Sequence, residues 1–133
     1  MTAAWLDTNV VVRFLTKEPV PLAQRANRLL AKAQAGEIAL RLTPVVVAEI
    51  AWVLRSTYGR QPDEIAAGLS ALLRADGILA DERDALLEAL DLMVQGNVSF
   101  PDAFLAMSAR QADEPVCTFD ADFKRLGVEI LAS

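Results

Sequence analysis

The sequence predicts an α/β fold: a mostly parallel sheet of four to five strands covered by helices. Short β-favouring runs alternate with amphipathic helical segments from one end of the chain to the other. Proline and glycine punctuate the helical segments, with Pro44, Pro62 and Pro101 at starts and Gly36, Gly59, Gly77 and Gly96 at ends. No internal repeat, low-complexity tract or linker divides the chain, so residues 1–133 read as one domain.

The elements follow in order. Ala3-Ala4-Trp5-Leu6 is a short apolar run closed by Asp7, and Thr8-Asn9 supply capping residues before Val10, Val11, Phe14 and Leu15 at helical spacing. A second helix is marked by Leu22, Ala26, Leu29, Leu30 and Ala33, with Arg25, Arg28 and Lys32 opposite. Ile38, Leu40 and Leu42 alternate with Ala39 and Arg41 as a strand, and Pro44 opens an unusually apolar helix through about Thr57. Pro62 starts a fourth helix with Ile65, Leu69, Leu72 and Leu73 inward, before a very short strand at Ile78-Leu79. Glu82 to Gln95 is amphipathic, and a further helix runs from Pro101 to Ala109. Strands at Val116 to Phe119 and Val128 to Leu131 flank a helical turn near Asp122 to Arg125.

A chain of 133 residues, 53% hydrophobic and 23% charged, buries a core without disulfides or a structural metal, and its apolar excess suits an oligomer. No apolar run reaches the roughly 18 residues of a membrane span and the N-terminus lacks a signal-peptide pattern, which predicts a cytoplasmic protein. The single cysteine, Cys117, lies among apolar residues and reads as a buried, inert thiol. Histidine is absent. That removes the usual general base, the usual zinc ligand and every Ser-His or Cys-His nucleophile, so any chemistry here falls to carboxylates.

Four carboxylates stand out. Asp7 closes the first strand, and ligands bind at the carboxyl ends of strands in open α/β sheets, although an N-cap is the plain alternative. Glu49 interrupts Pro-Val-Val-Val-Ala-Glu-Ile-Ala-Trp, with Val45, Val46, Trp52 and Val53 as helical neighbours. On a buried face it needs an arginine, a proton or a metal. Asp102 lies in the first turn of a helix, where it suits the dipole and a loose capping box from Ser99. Asp120 closes the strand Val-Cys-Thr-Phe as Asp7 closes the first, with Thr118 and Asp122 on either side as secondary candidates. A parallel α/β sheet would bring all four to one end, where acids crowded together need a divalent cation such as Mg²⁺ or Mn²⁺ to offset their repulsion. Carboxylates with a divalent ion and no His or Cys point to phosphoryl-transfer chemistry.

Ala-Trp-Leu-Asp7-Thr-Asn-Val, Val-Val-Ala-Glu49-Ile, Pro-Asp102-Ala-Phe-Leu-Ala and Thr118-Phe-Asp120-Ala-Asp-Phe, in this order and spacing, resemble the PIN-domain ribonucleases. Chain length and motif order are similar to the VapC-type toxins of bacterial toxin-antitoxin pairs. The resemblance implies a three-layer α/β/α sandwich, an acidic site holding one or two Mg²⁺ or Mn²⁺ ions, and endonucleolytic cleavage of RNA. It also implies a homodimer and inhibition by a cognate antitoxin protein. Carried over residue by residue, it makes Asp7, Glu49 and Asp102 metal ligands, completes the acidic site with Asp120, and puts Thr118 and Asn9 in support. Many relatives have an acid shortly before the position of Asp102, where this chain has Ser99, which leaves open the role of Asp122.

An acidic chain, net charge −5, needs local cations to hold RNA phosphates, and Arg13, Arg55, Arg60, Lys124 and Arg125 are the candidates. A dehalogenase-type phosphotransfer enzyme would need a second Asp where this chain has Asn9, and a response-regulator receiver would need a late Lys that Lys124 does not match. A PIN-like module that binds protein without catalysis is the remaining alternative, and retention of all four acids argues against it.

Overall fold

The computed structural model describes residues 2–131, beginning with strand β1, Thr2–Trp5. β1 pairs in parallel with β2, Ile38–Arg41, in a register that sets Thr2 opposite Ile38 and Trp5 opposite Arg41. β2 pairs in parallel with β3, Ile78–Leu79, so the strand order is β1-β2-β3. Consecutive residues of a strand point to opposite faces, and Ala39 and Leu40 are both buried, so β2 is covered on both sides as a strand of a parallel α/β sheet is. The Arg41 guanidinium lies 5.6 Å from the centre of the Trp5 ring, a cation–π contact across the pair.

The chain divides into two compact units, Met1–Arg83 and Asp84–Ser133. In the first, helices α1 (Thr8–Thr16) and α2 (Val20–Gln34) connect β1 to β2, and α3 (Pro44–Ser56) and α4 (Pro62–Leu73) connect β2 to β3. α1 packs on α2 and α3, α3 packs on α4, and α2 packs on β2. Val11, Val47, Ile50, Leu69 and Leu73 are almost wholly removed from water. α3 and α4 begin on prolines, whose missing N–H costs nothing in a first turn, and the Thr43 hydroxyl caps α3 by accepting from the Val46 N–H at 3.4 Å. Gly77 turns the chain into β3 at φ +82°, where a Cβ would sit 2.3 Å from the Ala33 carbonyl oxygen of α2. Only glycine permits that approach.

The second unit holds most of α5 (Arg83–Gly96), α6 (Phe100–Ala112) and a 3-10 turn at Ala121–Leu126. Leu86, Ala89, Leu90 and Met93 form the inner face of α5. Ala106 of α6 joins Val116, Phe123, Leu126 and Val128 in a small core, against which Leu92, Val98, Ala109 and Ile130 pack. Among the described residues, no helix is long and apolar enough to cross a membrane.

Three expectations change. The strands read at 116–119 and 128–131 contract to one parallel bridge, Val116 with Ile130, closed by Val116 N–H to Glu129 O at 2.8 Å and Leu131 N–H to Val116 O at 2.9 Å. The sheet of the described residues therefore has three strands. The reason is local: the Thr118 hydroxyl accepts from the Asp120 N–H at 3.0 Å and turns the backbone, leaving Phe119 fully exposed despite its β preference. Cys117 shares the consequence and is exposed rather than buried. On α2 the inward stripe is Ala23, Ala26, Leu30 and Ala33, while Leu22 and Leu29 face out.

Candidate active site

Asp7 stands where the chain leaves the sheet. Leu6 N–H still donates to Arg41 O at 2.9 Å, prolonging the β1–β2 pairing by one residue, and Asp7 then adopts the extended geometry of an N-cap, φ −93° and ψ 152°. Its carboxylate nevertheless makes no capping hydrogen bond. The side chain is exposed at the carboxyl end of β1 and, among the described residues, makes no hydrogen bond.

Glu49 lies on α3, but not as its neighbours suggested. Val45 is 78% exposed, Trp52 68% exposed, and Glu49 itself faces water. The expected desolvation penalty therefore does not arise, because the apolar stretch Val45 to Leu54 divides between a buried stripe, Val47, Ile50, Ala51 and Leu54, and a face turned outward. What singles Glu49 out instead is a hydrogen bond: the Thr8 hydroxyl donates to its Oε1. Thr8 follows Asp7 directly, so this bond ties the second carboxylate to the residue beside the first. Sequence reasoning assigned Thr8 to capping and missed this role. The available signal was its place on the inward stripe with Val11, Val12 and Thr16.

In the second unit, Asp102 is half-buried in the first turn of α6, and its N–H donates to the Ser99 hydroxyl at 3.3 Å, the forward half of the expected capping box. Asp120 behaves differently from Asp7. Its Oδ1 accepts from the Asp122 N–H at 2.9 Å and caps the 3-10 turn, while its own N–H is held by Thr118. Asp122 is exposed in that turn.

The structure thus groups Asp7, Thr8 and Glu49 in one unit and Thr118, Asp120 and Asp122 in the other. Among the described residues, neither unit by itself assembles three or more acidic or cysteine side chains in a group that could hold a metal ion. The donors in the first unit are nonetheless of the right kind: two carboxylates, all oxygen, neither consumed by helix capping. Mg²⁺ is commonly bound by one or two carboxylates, with water and substrate phosphates completing its shell.

The candidate phosphate-binding cations are partly engaged. Arg13 Nη1 donates to the Tyr58 hydroxyl at 3.1 Å and to Glu18 O at 3.3 Å, and Arg55 Nη1 donates to Arg60 O at 3.1 Å and Gln61 Oε1 at 3.3 Å. Arg125 donates to Gly96 O, Arg60 is half-buried, and Lys124 is exposed. Asn9 is exposed and, with Arg13, Arg25, Leu22 and Leu29, lines a cavity of about 250 Å³ between α1 and α2.

A family model described as PIN domain matches residues 4–129, almost the whole chain and both units. No curated protein and no solved structure matches it at a significant level.

Proposed function

Because the chain belongs to the PIN domain family, whose members are generally nucleases, we propose that it is a metal-dependent endoribonuclease and the toxin of a toxin-antitoxin pair. The observation that carries this reading is the state of Asp7 and Glu49. One carboxylate lies exposed at the carboxyl end of β1 without capping the helix that follows, and a second is hydrogen-bonded to the adjoining residue. Helix capping accounts for neither.

Asp7 and Glu49 would hold Mg²⁺ or Mn²⁺, and Asp102 and Asp120 enter the proposal as further ligands from the sequence resemblance alone. When bound, the ion supplies Lewis acidity that lowers the pKa of water and offsets charge on the oxygen leaving a phosphodiester. The protein's own contribution is to present the carboxylates in fixed orientations and to hold the RNA backbone through cations. Of the cations named for that task, Lys124 is exposed and, among the described residues, its side chain donates no hydrogen bond. Exposed Val20, Leu22 and Leu29 on α2 support a surface for an antitoxin or a second copy of the chain.

The test is cleavage of total cellular RNA by the purified protein. Mg²⁺ or Mn²⁺ should support cutting within the strand, EDTA should stop it, and either ion should restore it. Asp7→Asn, Glu49→Gln and Asp102→Asn should keep the circular dichroism and melting of the parent and lose about 100-fold or more of the activity. Full activity in Asp7→Asn would refute the assignment. A parent protein inert with every divalent ion would favour a silent, protein-binding module.

A further inference from the structure

Each of three other side-chain hydroxyls on helices bonds back to the carbonyl four residues earlier: Thr16 to Val12 at 2.7 Å, Ser56 to Trp52 at 2.7 Å and Ser108 to Phe104 at 2.8 Å. Thr8 has no such option. It is the first residue of α1, so no carbonyl of its own helix precedes it by a turn. With only 6% of its surface exposed, its hydroxyl has little access to water and must find a protein acceptor. The acceptor it finds is Oε1 of Glu49, 41 positions along the chain on a different helix.

The two partners are unequal. Thr8 is β-branched, packed inside α1 and restricted about χ1, whereas Glu49 is a long side chain in water with several rotamers open to it. A hydrogen bond between a fixed donor and a free acceptor restrains the acceptor. It is also charge-assisted, and so stronger than a bond between neutral groups. We propose that Thr8 is a positioning residue: its hydroxyl holds one oxygen of Glu49 and thereby fixes the orientation in which that carboxylate would serve as a ligand to a divalent ion. This rests on the nuclease reading above and assigns Thr8 a role that touches neither substrate nor ion.

Thr8→Val removes the hydroxyl at nearly constant shape, and Thr8→Ser retains it while losing a methyl group. In the metal-free protein, three-bond couplings of the Glu49 side chain should report one dominant χ1 rotamer in the parent and in Thr8→Ser, and averaging in Thr8→Val. Titration calorimetry should show Mn²⁺ binding weakened on the order of 10-fold in Thr8→Val and near parental in Thr8→Ser. RNA cleavage should lose kcat with little change in KM.

A Glu49 side chain that is already averaged in the parent would overturn the proposal, whether or not the Val variant folds. So would equal Mn²⁺ affinity in parent and Thr8→Val, or a Thr8→Ser variant as impaired as Thr8→Val, which would make the role one of packing. If the parent bound Mn²⁺ and cleaved RNA while those tests failed, only this proposal would fall. If the parent bound no Mn²⁺, the nuclease reading would fall and take this one with it.

Discussion

Asp7 and Asp120 each end a short apolar run and each precede a helical turn, yet their side chains do opposite things. The Asp120 carboxylate accepts from a backbone N–H two residues on, whereas the Asp7 carboxylate caps nothing. Asp120→Ala should therefore cost about 1 kcal/mol in urea unfolding, and Asp120→Asn, which keeps the acceptor, much less. Asp7→Ala should cost less than Asp120→Ala, because no capping bond is lost. An equal loss at both positions would show that Asp7 does cap its helix. The positions of these acids were legible in the sequence, but their side-chain partners were not, since Asx geometry depends on backbone angles that composition does not specify.

Helices whose ends carry local chemistry were the most readable elements. α3 and α4 begin on the prolines that announced them, and α5 lies within one residue of its expected span. The face each helix buries was harder to read. In α2 and α3 apolar residues occupy more than one stripe, and which stripe faces inward depends on the neighbour packed against it. The turn between α4 and β3 offers a sharp test at this scale. Gly77→Ala brings a Cβ against the Ala33 carbonyl oxygen, backbone that no side-chain rotation can move aside, at a φ that L-residues avoid. It should destabilise by about 2 kcal/mol or more, measured as a lower urea midpoint at constant m-value. An unchanged midpoint would mean that the turn adjusts freely.

For the whole molecule, the net charge of −5 has to be reconciled with a polyanionic substrate. Positive groups are too few to coat a surface, so RNA affinity should depend on a handful of cations and fall steeply with salt. Lys124→Ala should weaken RNA binding and reduce the slope of log affinity against log salt by about 1, with Mn²⁺ affinity unchanged. An unaltered slope would remove Lys124 from the interface. The apolar excess of the composition is visible as exposed Trp5, Val45, Trp52 and Phe119, and burial of a core does not account for these side chains.

The sequence by itself determined the parallel α/β class, the identity and approximate bounds of nearly every helix, and the absence of histidine from which the proposed carboxylate chemistry follows. These rest on short-range chemistry: periodicity, proline and glycine geometry, and residue inventory. Tertiary structure decided that Glu49 sits in water, that its partner is the Thr8 hydroxyl rather than an apolar environment, and that residues 116–119 form one bridge and a turn instead of a strand. The first two depend on which distant groups meet, since Thr8 and Glu49 are 41 positions apart, and the third on a hydrogen bond between Thr118 and Asp120 whose backbone geometry the residue types alone do not specify.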